Sequence, residues 1–156
     1  MNAREYIDTF LINGIGRLVD EHPFQAFILM ATGIEFLGKC LNEGEWDTSN
    51  QSRDDFNAAL DKLDSLGKYK EIENLYNKLR CGLAHLGIPK TGLTLCPDKN
   101  NLEANPILLG CKEFYEDFKA ACTEITTDPK SQVKKKMDED YASIIGGFTS
   151  STVSNQ

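Results

Sequence analysis

The apolar positions of this chain recur mostly at helical spacing. Over residues 3–20, Ile7, Phe10, Leu11, Gly14 and Leu18 stand three and four apart, which predicts an amphipathic helix. The His22-Pro23 step interrupts it, and Pro23 suits the first turn of a second helix running through "FQAFILMATGIEFLGKCL". That helix is apolar nearly all round, so it belongs in the middle of a bundle. After the polar "NEGEWDTSNQ", Ser52 and Asp55 resemble a capping box opening a third helix, with Phe56, Leu60, Leu63 and Leu66 inward and an end near Gly67. A fourth helix from about Lys68 carries Ile72, Leu75, Tyr76, Leu79, Leu83 and Leu86 on one face until Gly87 and Pro89 stop it.

The pattern then changes. In "TGLTLCPDKNNLEANPILLG" two short apolar runs flank a Pro-Asp-Lys-Asn-Asn turn, which predicts a small β-hairpin or irregular β arm. A fifth helix follows from about Lys112 to Ile125, with Phe114, Phe118, Ala121 and Cys122 inward, and a last one is expected over 130–145 on Val133, Met137, Tyr141 and Ile144. The expected fold class is all-α: an antiparallel helical bundle of about five helices with a hairpin-like insertion. It is expected as one domain over 1–146 with a flexible tail over 147–156.

Composition narrows the function classes. A net charge of -7 argues against a protein that coats nucleic acid through a basic surface, and leaves room only for a small local basic site. The Lys134–Lys136 run is balanced by the acidic residues at 138–140 and reads as a solvated face. Glu5 and Asp8 stand where a signal peptide needs a basic start and an apolar block. Gln25, Glu35 and Lys39 interrupt the most apolar segment as a membrane span, so a cytoplasmic protein without membrane attachment is expected. The five cysteines show neither a CxxC pair nor zinc-ligand spacing, and read as reduced cytosolic thiols with no metal and no cofactor expected.

Candidate chemistry concentrates on "YNKLRCGLAHLG", residues 76–87. At 100° per residue, Arg80 and His85 fall about 140° apart on the two flanks of the apolar stripe, too far to touch within one helix. Between them lie Asn77, Cys81 and Ala84, small or amide side chains where a solvated helix usually carries Lys or Glu. The economical partner for this face is the same face of a second copy across a two-fold axis. Such a homodimer gathers two arginines and two histidines in one cleft. Cleavage of RNA by its own 2′-hydroxyl needs a base, an acid and positive charge on the phosphorane; paired imidazoles and a guanidinium meet those needs.

The segment "RCGLAH" resembles the R-x4-6-H signature of HEPN domains, small helical proteins in which dimerisation builds a composite site and many members cut RNA without a metal. "EFLGK" places Glu35 and Lys39 four apart, similar to an E-x3-K element of some branches. The resemblance covers about residues 5–125. It implies Arg80 and His85 as catalytic, Glu35, Lys39 and Asn77 as orienting or phosphate-contacting, and an RNA substrate. It also implies a toxin-antitoxin or defence setting with an antitoxin or nucleotidyltransferase-like protein partner. Cys81 follows the arginine where active members often carry a polar residue, and Gly87 stands where some toxins carry a nucleotidylated tyrosine. The alternative is a catalytically inactive HEPN-like module that binds a protein partner or nucleotide through Asn77, Cys81 and Ala84. Glu35 shares a helix face with Phe24, Ile28 and Ala31 and needs a partner there; an intrahelical pair with Lys39 is preferred over contact with Arg80.

Overall fold

The computed structural model describes residues 1–46 and 48–127. The helix expected over 130–145 and the tail over 147–156 lie outside these. Asn2 starts the chain's first helix, α1 (Ala3–Tyr6), with a capping box: its side chain accepts from the Glu5 amide while the Glu5 carboxylate accepts from the Asn2 amide. α1 runs into a π-type helix, Ile7–Gly14. The buried residues Ala3, Ile7, Leu11, Ile15 and Val19 are spaced by four throughout. On an α-helix a strict fourfold repeat drifts by about 40° per step, so the stripe would wind away from the core. The i→i+5 bonding of a π-helix widens the turn and keeps the stripe in phase.

α2 (Pro23–Leu41) is the axle of the fold, as its all-round apolarity predicts. It packs against α3 (Ser52–Lys62), α4 (Cys111–Thr127) and both π-type helices. It is also the one helix among the described residues long and apolar enough to cross a membrane, and 56% of that stretch is buried inside the protein. Close approach sets its packing. A Cβ on Gly38 would lie 1.6 Å from the Asp55 carbonyl oxygen, and one on Gly33 would lie 2.6 Å from the Phe118 ring. Phe27, Phe114 and Tyr69 complete the aromatic centre, with Phe114 stacked on Phe27 at 5.8 Å and edge-on to Tyr69 at 4.8 Å.

The third helix is shorter than expected. Ser52 and Asp55 form no capping box, because Asp55 is buried and bound instead to Lys39 at 3.7 Å and to the Asn42 amide at 2.6 Å. α3 gives way at Leu63 to a 3₁₀ segment, Asp64–Glu71, and the second π-type helix spans Tyr76–Leu86. Here too the buried residues Leu75, Leu79 and Leu83 repeat by four. Leu86, three further on, leaves that stripe and is 61% exposed, contrary to its expected place inward. Gly87 ends the helix in the left-handed conformation at φ 72°, as the sequence indicates.

The all-α expectation with an antiparallel hairpin is overturned. β1 (Leu93–Cys96) and β2 (Ile107–Gly110) form a two-stranded parallel sheet, with Leu93 opposite Ile107 and Cys96 opposite Gly110. The antiparallel partner of β2 is Asn101, bridged to Leu108 by two backbone hydrogen bonds of 2.8 and 3.0 Å. The turn after Cys96 therefore carries the chain past β1 and sets Asn101 on the far edge of β2. Asn100 anchors this excursion: its Oδ1 accepts from the Gly110 amide at 2.8 Å, and its Nδ2 donates to the Tyr69 hydroxyl at 2.8 Å. Tyr69 in turn donates to Asp117 on α4. Burial and Asp117 together push the Tyr69 phenol far above its usual value, so it stays a neutral donor.

Candidate functional site

The second π-type helix brings Arg80 and His85 closer in azimuth than the α-helical wheel allows. With i→i+5 bonding the turn is wider, so positions five apart stand just over one turn apart and roughly 50–90° round the helix, in place of the expected separation of about 140°. π geometry is uncommon and is enriched where helices carry function. The side chains differ in environment. Arg80 is half-buried, while Ala84, His85, Leu86 and Ile88 are exposed. The His85 side chain makes no hydrogen bond or ion pair with any described residue.

Glu35 on α2 supplies the partner of Arg80, with the guanidinium Nε donating to Oε2 at 2.6 Å and both side chains about one-fifth exposed. The preferred Glu35–Lys39 pair is not formed. Lys39 turns to the start of α3, where it meets Asp55 at 3.7 Å, Gln51 Oε1 at 3.2 Å and the Thr48 carbonyl at 3.5 Å. The reason is non-local: Gly38 draws α3 against α2, so the Asp55 carboxylate is presented to Lys39 from outside the helix. Lys39 is thereby buried and removed from phosphate contact.

Glu35 takes only Nε–H, and the two terminal guanidinium nitrogens bond to no described residue. An arginine held by Nε keeps the outward edge of its planar fork for a phosphate oxygen. Tyr76, five residues before Cys81, adjoins this pair. Burial raises its phenol above the usual value and its interaction with Cys81 adds to that, while Arg80 opposes it.

The expected dimer face divides in two. Asn77 Oδ1 accepts from Lys90 Nζ at 2.6 Å, and the Lys90 amide donates to the Lys78 carbonyl at 2.9 Å, so the segment after Gly87 folds back along the helix. Gly82 makes this possible, since a Cβ there would lie 2.7 Å from the Ile88 carbonyl oxygen. Asn77 and Cys81 are therefore half-covered from within the chain. The open surface is the tip formed by Ala84, His85, Leu86 and Ile88, the last 59% exposed.

Lys90 and Tyr76 had no distinguishing signal in the sequence, because their roles depend on the return of the chain past Gly82 and on the fivefold turn. Among the described residues, no group of three His, Cys, Asp or Glu side chains is placed to hold a metal ion. The chain matches no protein-family model, no curated protein and no solved structure.

Proposed function

We propose that the protein is a metal-independent endoribonuclease that works as a homodimer, two second π-type helices meeting tip to tip around a two-fold axis. The observation that carries this reading is the pairing of opposites on one helix: Arg80 tethered through Nε with its terminal nitrogens bonded to no described residue, and one turn on an exposed His85 whose side chain meets no described partner. Leu86 and Ile88 supply the apolar surface whose burial drives association. The R-x4-6-H motif and its resemblance to HEPN domains point the same way, and we propose with them a cytoplasmic toxin-antitoxin or defence setting.

In the proposed site, His85 of one copy removes the 2′-hydroxyl proton as that oxygen attacks phosphorus. His85 of the other copy donates a proton to the departing 5′-oxygen. The P–O5′ bond breaks, leaving a 2′,3′-cyclic phosphate and a 5′-hydroxyl. Arg80 steadies the negative charge of the phosphorane, and Glu35 aims the guanidinium from behind. The test is single-stranded RNA in EDTA. Wild type should cleave and leave cyclic phosphate ends, and His85→Ala should be slower by about 100-fold or more. Equal inertness of both proteins across diverse RNAs would overturn the enzyme reading. In that event the exposed Leu86 and Ile88 favour a catalytically inactive module that buries this tip against a protein partner.

A further inference from the structure

Tyr76 also lines a cleft. It lies between α3, the end of the 3₁₀ segment and the start of the second π-type helix and has a volume of about 420 Å³, within the size range of small-ligand pockets. Its lining is mainly polar, with the buried Leu60, Ile72 and Leu75 behind it. Its rim carries two cations, Arg53 and Lys70, and neither forms an ion pair with any described residue in a chain that has 24 acidic against 17 basic side chains. Arg53, exposed, lies over the Tyr76 ring at 5.7 Å, and the Phe56 ring meets Tyr76 edge-on at 5.6 Å.

We infer that this cleft binds one nucleotide unit, its phosphate on Arg53 and Lys70 and its base edge on the amides of Asn57 and Asn74. The chemistry fits in each part. A guanidinium fork and an ammonium suit a single phosphate. Asn57 and Asn74, whose amides bond to no described side chain, present donors and acceptors to a base edge. Asp61 in the same rim accepts from ribose hydroxyls and repels further phosphates, which selects one phosphate over a polyphosphate. Tyr76 lines the cleft and also interacts with Cys81, the neighbour of Arg80. The inference extends the proposed function, yet binding here is measured without turnover, so either reading fails without the other.

Isothermal titration of the full chain with AMP, adenosine, inorganic phosphate and hexa-adenylate RNA tests it, with the RNA arm run in His85→Ala protein so that the strand survives. AMP should bind at least about tenfold more tightly than adenosine or phosphate, and Arg53→Ala/Lys70→Ala should weaken it by about tenfold or more with an unchanged thermal melt. Hexa-adenylate tighter than AMP identifies the nucleotide as part of a strand; equal affinities identify a free mononucleotide. The inference is overturned by no AMP or RNA binding at millimolar concentration, by adenosine binding as tightly as AMP, or by a double variant within twofold of wild type.

Discussion

Glu35 and Arg80 form the contact on which the site's geometry depends, and its strength is measurable apart from any activity. The perturbation is a double-mutant cycle of Glu35→Gln, Arg80→Gln and the pair. Gln at 35 keeps an acceptor and nearly the same volume while removing the charge. The side chains are 20% and 22% exposed, which puts the pair between two limits. Exposed ion pairs contribute about 0–1 kcal/mol, whereas breaking a buried one costs about 3–5 kcal/mol. The 2.6 Å hydrogen bond is charge-assisted at both ends, a type worth about 1.5–3 kcal/mol in mutational series. A coupling of about 1–2 kcal/mol is expected, with Arg80→Gln the more damaging single change because it strands a carboxylate on the packed face of α2. The assay is urea unfolding at pH 7 and moderate salt, with thermal melts as a check at about 2–4 °C per kcal/mol. Additive single effects, with a coupling below about 0.3 kcal/mol, would refute the pairing and with it the orientation of Arg80.

Gly82→Ala should push the 88–90 segment off the helix, since all three of its nearest atoms at 2.7–3.1 Å are backbone. The expected loss is about 1–2 kcal/mol after the helix-propensity gain, read as a lower urea midpoint; an unchanged or raised midpoint would contradict the close approach. Glu113 supplies a pH test. The Asn100 backbone hydrogen bond, and then Lys68, hold its carboxyl below its usual 4.5 against the opposing effect of burial. A depressed folded-state value gives stability that is complete above the usual value and is lost as pH falls through the folded one. Glu113→Gln should therefore be less stable than wild type at pH 7 and converge with it in acid, and parallel stability curves from pH 7 to 3 would count against the contact.

Much of the helical skeleton was legible because it rests on local pattern. α2 announces itself by its apolar length, α4 by Phe114, Phe118, Ala121 and Cys122, and the end of the second π-type helix by Gly87. What failed depends on partners distant in sequence or on a helix geometry that a 100° wheel presupposes away. An α-helical reading puts Phe10, Gly14 and Leu18 on the inward face with Ile7 and Leu11, where the buried set is Ala3, Ile7, Leu11, Ile15 and Val19, and it likewise misplaces Leu86 and over-separates Arg80 from His85. The parallel sheet could not be read from Pro97 and its neighbours, because Asn100 fixes the arm through Tyr69 and Gly110. Glu35, on an otherwise apolar helix face, needs a partner and has one in Arg80. Which cation answered it was decided by Gly38, which gave Lys39 to Asp55 and left Glu35 to Arg80.

The most direct test of the composite site joins assembly to cleavage in one preparation. Sedimentation equilibrium should give wild type twice the 17.4 kDa chain mass. Leu86→Asp/Ile88→Asp should be monomeric, folded and inactive on RNA. A monomeric wild type that cleaves RNA, or a double variant that dissociates yet retains full cleavage, would contradict the account.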